Sequence, residues 1–380
     1  MTAGGTAVQG TVAPGFESVG DAFERNVLER ADGGCSLAAV VDGLTVVDLW
    51  GGSADAAGRP WQRDTAAVVF SGSKGVVATL LLLLCQRRLL EPTAPVADLW
   101  PEFGVAGKDG ITVAQLFAHA GGVPGLLEPI DRSQLAHPDQ LAARIAAEPP
   151  LTEPGRPCYH ALTYGWLAAE LVRRVDGRSI GRMLADELAE PLGLDIAIGV
   201  DPSSPLAAGM ATVRAAPDFA LSAYLSDDPD PRLSLVYGNP PLAPEAWNDP
   251  ELLALEVPAA NAVATARSLA VLYGSLVRSE DPLVRPETLA TGRSEASRGD
   301  DPLSGRPLRF GPTGYELAGT PSELGPPRDA FGHTGAGGGS HGAWPSLRTG
   351  FSYVTADLRP ENADGRAHDL LRALHTAIAA

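Results

Sequence analysis

The alternation of apolar and polar positions divides the chain into three stretches. Residues 15–31, GFESVGDAFERNVLERA, carry Phe16, Val19, Phe23, Val27 and Leu28 at helical spacing, which predicts an amphipathic helix. The following CSLAAVVDGLTVVDLWGG reads as two apolar strands around Asp42-Gly43, a good two-residue hairpin turn. From about residue 86 to 250 helical patterns dominate, broken by Pro-Gly loops. ITVAQLFAHAGGVPG predicts a helix ending at Gly121-Gly122, and TYGWLAAELVRRVDG an amphipathic helix stopped by Gly177. SIGRMLADELAEPLGL and residues 265–279, TARSLAVLYGSLVRS, predict two more. After a polar, Pro-rich stretch (280–307) the pattern returns to strands in LRFGPTGYELAG, DAFGHTGAGGGSHGAW and TGFSYVTADL, and a closing helix spans roughly 364–379.

Both ends of the chain therefore contribute to one layer. The order predicts an α+β fold, with an antiparallel sheet flanked by helices built from residues 1–85 and 280–380. An all-helical domain, residues 86–279, is inserted between the two parts, and the cleft between the domains is where a site is expected. A chain of 380 residues, 44% of them hydrophobic, is long enough for two cores.

Charge and composition narrow the function. The net charge of −17 argues against nucleic acid and anionic membrane surfaces as partners. The longest apolar run, Val76 to Cys85, is about half a membrane span. The N-terminus lacks the basic and apolar regions of a signal peptide. Three scattered cysteines, Cys35, Cys85 and Cys158, require neither an oxidising compartment nor a zinc site. A cytoplasmic protein is expected. Only two of the 29 basic residues, Lys74 and Lys108, are lysines. Arginine serves most surface roles but does not lose its proton at useful pH, so a retained lysine points to chemistry. Lys108, in GKDG, reads as a lysine at a turn tip.

Three motifs compete for that chemistry. Gly72-Ser73-Lys74 lacks the earlier glycine and the following Ser or Thr of a phosphate loop. Gly338–Gly342, GGSHG, matches G-x-S-x-G formally, but Ala343-Trp344-Pro345 follows where a nucleophile elbow needs a helix. It reads as a Gly-rich turn between strands. Ser71-Gly72-Ser73-Lys74 is a Ser-x-x-Lys. On a helix, residues three apart share a face, so Ser71 Oγ and Lys74 Nζ come within hydrogen-bond reach at the positive helix N-terminus. Gly72 and Gly75 cost about 1 kcal/mol each relative to alanine inside a helix, which makes sense where something approaches the backbone closely.

FSGSKG with its buried helix, then LFAHAGGVPG, then PGRPCYHALTYGWLAAELV, then FGHTGAGGG follow one another in the chain. In this order they resemble the serine β-lactamase-like superfamily of class C β-lactamases, penicillin-binding DD-peptidases and family VIII carboxylesterases, and the last of these most. The resemblance implies Ser71 as the acylated nucleophile, with Lys74 and Tyr159 as its proton partners. It implies His333-Thr334-Gly335 in place of Lys-Thr-Gly, with the N–H groups of Ser71 and Ala336 forming the oxyanion hole. His333 then assists proton transfer or orients its strand, and His160, Thr334, Gly335 and Trp344 contact substrate. Tyr159-His160-Ala161 lacks the asparagine of Tyr-x-Asn, and His333 replaces a lysine that would pair with a carboxylate. Both departures favour a neutral ester or amide over a β-lactam or peptide.

The expected activity is therefore hydrolysis of a small-molecule carboxylic ester through an acyl-enzyme, with no metal or organic cofactor. Acyl transfer to an alcohol or amine is the alternative, and a homo-oligomer stays open. A non-catalytic binding module would have no use for Lys74 amid arginines. His119 reads as structural or helix-capping, Asn261 as fixing a turn, and Trp247 as packing.

Overall fold

The computed structural model describes residues 7–28, 33–217, 219, 230–319, 323–360 and 365–380. Nine strands form one antiparallel sheet. Three belong to the N-terminal part: β1 (Gln9–Val12), β2 (Gly34–Val41) and β3 (Leu44–Gly52). Six belong to the C-terminal part: β4 (Ser297–Asp300), β5 (Pro307–Phe310), β6 (Glu316–Leu317), β7 (Phe331–Gly335), β8 (Gly339–Trp344) and β9 (Thr349–Thr355). Their order in space is β1-β3-β2-β9-β8-β7-β6-β5-β4. Asp42 and Gly43 both take left-handed φ, 47° and 84°, at the predicted β2–β3 hairpin.

The two parts of the chain join where β2 pairs with β9, from Val41 opposite Thr349 to Cys35 opposite Thr355. Everything between β3 and β4 is thus an insertion into one sheet. Five helices position the site: α1 (Glu17–Leu28), α2 (Gly72–Gln86), α3 (Thr163–Val175), α4 (Ala266–Val277) and α5 (Arg366–Ala379). α1 and α5 cover one sheet face, where Phe23, Val27 and Leu374 pack with Leu37, Leu49 and Phe351. α4 and α2 cover the other. Because both faces are covered, β9 is buried along its whole length and shows no alternation. β1, and β4 within the polar 280–307 stretch, carry no apolar pattern and were not predicted as strands.

α4 departs from the predicted domain boundary at 279. It lies on β2, β8 and β9, and its Gly274 packs so tightly on β9 that a Cβ on Gly350 would sit 2.1 Å from Gly274 N. Helical periodicity reports that a helix has a buried face, not which layer buries it.

α2 has no solvent face, and every residue from Gly72 to Leu84 is buried. It runs between β7 and β8 on one side and α3 on the other. Its glycines allow these contacts. A Cβ on Gly72 would sit 2.5 Å from His341 Cδ2, and one on Gly75 would sit 1.9 Å from Tyr273 Oη. Gly75→Ala is therefore expected to destabilise the protein in urea titration by about 1–3 kcal/mol, overpacking outweighing the gain in helix propensity. Adding Tyr273→Phe, which deletes a hydroxyl without a hydrogen-bond partner among the described residues, should recover most of the loss. A Gly75→Ala protein as stable as wild type would contradict the tight packing of α2.

Candidate active site

Ser71 stands at the N-terminus of α2, directly after Phe70. Phe70 has φ of 47°, a conformation that a bulky residue holds only when its surroundings enforce it. One helical turn later Lys74 is fully buried, with Nζ 3.1 Å from Ser71 Oγ and 2.9 Å from the Ala259 carbonyl oxygen. Both contacts are neutral, and burial holds the ammonium pKa well below the usual lysine range. The neighbouring Ser73 is structural. Its Oγ donates to Phe70 O at 2.5 Å and accepts the Ala262 N–H at 2.9 Å, away from the cleft.

Tyr159 comes from the inserted region, and Lys74 Nζ lies 4.9 Å from its ring centroid. Its loop is pinned on both sides. The Tyr159 N–H donates to the buried Asp301 carboxylate at 2.9 Å, the Cys158 N–H to His119 O at 2.8 Å, and the His160 N–H to His119 Nδ1 at 2.9 Å. The His119 ring stacks on Tyr159 at 4.6 Å. His119 takes φ of 61°, breaking the predicted helix before Gly121-Gly122 and turning its imidazole to Tyr159. Because Nδ1 accepts a hydrogen bond, the neutral ring carries its proton on Nε2, and burial disfavours the cation. His119 is thus the structural residue the sequence suggested, with Tyr159 as what it supports. Asp301 was not singled out.

β7 supplies the opposite wall. His333 is buried, and its pKa is pushed down to about 3, first by burial and then by Lys74, so the ring is neutral. Its Nδ1 lies 2.7 Å from Thr334 O, and since a carbonyl only accepts, Nδ1 carries the proton. Glu316 on β6 takes both the Thr334 N–H and the Thr334 hydroxyl on Oε2, each at 3.0 Å, and lies 3.9 Å from His333 Nδ1. Burial, then the Glu323 carboxylate, push the Glu316 pKa up to about 7 against the Thr334 bonds and Arg306. Sequence reading missed Glu316. The available signal was an acid among the inward-facing residues of YELAG.

Ser71, Tyr159, His333, Thr334 and Ala336 line one cleft of about 580 Å³. Leu242, Trp247, Leu308, Phe310 and Leu358 make it largely apolar, so Trp247, read as packing, also borders the cavity. Gly335 lets the strand approach the Ser71 turn, for a Cβ there would sit 2.4 Å from Val69 O. Two expected substrate contacts lie elsewhere. His160 is buried beside the cleft, its Nδ1 bonded to Cys158 O at 2.7 Å. Trp344 faces the other side of the sheet, packing on Phe351 and donating Nε1–H to Leu324 O at 2.7 Å. Side chains alternate along β8, so His341 and Ala343 face α2 while Trp344 faces α5. Lys108 is likewise no surface lysine. It is buried beside the Phe103 ring and donates to Glu148 O. Asn261 fixes its turn as predicted, accepting from the Val257 N–H at 3.0 Å and donating to Leu255 O at 2.6 Å.

The architecture and the hydroxyl–amine–phenol cluster define the class. The beta-lactamase family model matches residues 21–376, and the chain belongs to that family. The esterase/beta-lactamase LipL of Mycobacterium tuberculosis is 35% identical over 366 residues, 93% of this chain and 84% of LipL. The crystal structure of a family VIII carboxylesterase matches with a TM-score of 0.90 at 34% identity, covering 98% of this chain and 100% of that one. A penicillin-binding protein homolog from Caulobacter crescentus matches at 0.88 and 32%, covering 98% and 100%. Among the described residues, no helix is long and apolar enough to cross a membrane.

The two serines separate experimentally. Ser73→Ala strands the buried Ala262 N–H, while Phe70 O keeps the backbone N–H of residue 73, and is expected to cost about 1–3 kcal/mol in urea unfolding. Ser71→Ala, half-buried at the cleft, should change stability by less than about 0.5 kcal/mol. The reverse order would contradict the assignment of Ser73 to structure and Ser71 to the cleft.

Proposed function

We propose that the protein is a serine hydrolase that cleaves a small-molecule carboxylic ester through an acyl-enzyme on Ser71. The observation that carries this reading is the buried Lys74 Nζ, 3.1 Å from the Oγ of Ser71, which lines an apolar cleft. A lysine whose charge is disfavoured by burial is an amine able to take the Ser71 proton as Oγ attacks the ester carbonyl. The Tyr159 phenol beside that amine passes the proton to the leaving alcohol, and water releases the acyl group by the reverse route. The N–H groups of Ser71 and Ala336 hold the oxyanion. The 34% identity to a family VIII carboxylesterase and 35% identity to LipL support the ester as substrate.

A β-lactam carboxylate finds little welcome here. His333 is neutral at pH 7 and Glu316 stands next to it, so the position where the resemblance places lysine carries no charge. Nitrocefin turnover is expected to be at least a hundredfold below that of p-nitrophenyl butyrate.

The test is burst labelling by a fluorophosphonate and turnover of p-nitrophenyl butyrate. Wild type should label on Ser71 and turn over, and Ser71→Ala should lose about 10³-fold or more in kcat. Full activity in Ser71→Ala would overturn the reading. Lowering the pH protonates Lys74, so kcat/KM should fall on the acid side, with the midpoint well below lysine's usual 10.5 because burial disfavours the cation. Lys74→Arg, charged at every working pH, should be inactive across the whole profile. Adding small alcohols or amines and weighing the products reads out acyl transfer.

A further inference from the structure

The edge of β7 beside Ser71 is closed by two side chains. Backbone groups alternate along this strand. Ala330 O accepts the Ala318 N–H, Gly332 stands opposite Glu316 of β6, and Gly335 O faces the other way to accept the Gly338 N–H. The N–H and C=O of Thr334 therefore share the edge that β6 covers only as far as Gly332. From there toward Ala336 in the cleft, no strand among the described residues pairs with this edge. Such an edge is a template on which an extended, amide-bearing acyl group would add as a further strand.

Here both groups at Thr334 are already taken. The N–H donates to Glu316 Oε2 at 3.0 Å, together with the Thr334 hydroxyl, and the carbonyl is bonded by His333 Nδ1 at 2.7 Å. The side chains replace the missing strand partner with bonds supplied from within the protein. Around them the cleft offers Leu308, Phe310 and Leu317, surfaces suited to hydrocarbon.

We propose that Glu316 and His333 close the β7 edge at Thr334, so that the cleft accepts esters with plain apolar acyl chains and turns away acyl groups carrying a peptide backbone. An acyl chain without amides leaves the Thr334 bonds intact. A peptidyl chain must break a charge-assisted bond to gain a neutral one. Glu316 is thus a specificity-determining residue, and the inference rests on Ser71 as the acylated group.

The experiment compares kcat/KM for p-nitrophenyl butyrate and for the p-nitrophenyl ester of N-acetyl-alanylalanine. Wild type should prefer butyrate. Glu316→Ala, which uncaps the Thr334 N–H, should raise the peptidyl-to-butyryl ratio about tenfold or more. Glu316→Gln keeps an oxygen acceptor but loses its charge, and should raise the ratio about threefold, well short of Glu316→Ala. An unchanged ratio in Glu316→Ala, or an equal rise in Glu316→Gln, overturns the proposal.

A second arm needs no variant. Glu316 is faced by Glu323, by Arg306 from the β4–β5 turn, by His333 and Thr334 on β7, and by Tyr273 on α4. Protonating it between pH 8 and pH 6 exchanges a charged acceptor for a neutral one, and the wild-type ratio should rise about threefold. A flat ratio overturns the proposal even if the variants fail to fold. Wild type that leaves butyrate intact strikes the Ser71 reading instead.

Discussion

The contact on which the site depends is that between an amine denied water and a serine hydroxyl. Lys74 Nζ is held by Ser71 Oγ and the Ala259 carbonyl, and the Tyr159 ring lies alongside it. No carboxylate enters that set, and the cost of burying the charge outweighs these neutral contacts. An arginine could not be held neutral there, which explains a lysine in a chain that otherwise prefers arginine.

The packing of α2 maintains that condition. Its apolar residues are buried on every side, and its two N-terminal glycines bring His341 and Tyr273 against the helix backbone. The strained Phe70 then presents Ser71 to the cleft while Ser73 ties the turn to Ala262. The strand pairing of β2 with β9 closes the sheet around the insertion and so brings β7 to the same place. Tyr159 arrives from the inserted region, fixed by Asp301 and His119. Three distant segments thus converge through backbone bonds and stacking.

The split fold was legible in the sequence because strand and helix periods differ and because the two strand-rich ends bracket a helical middle. Ser71 and Lys74 were legible because their relation is local, one helical turn. Features set by contacts between distant segments were not. The layer of α4, the facing of Trp344 and the inward turn of His160 depend on which partner each element meets. Glu316 escaped notice for the same reason, since only the fold sets a β6 carboxylate against the Thr334 N–H. Lys108 misled because GKDG resembles an exposed turn while the long side chain reaches inward to Glu148 O.

The central claim is that Lys74 is an amine of depressed pKa. The chain carries only two lysines, so protein labelled with ¹³Cε-lysine gives two resonances, assigned by comparison with Lys108→Arg. Titrated by NMR, the Lys74 resonance should change well below lysine's ordinary range, near 10.4. A Lys74 that stays protonated up to that value would contradict the account.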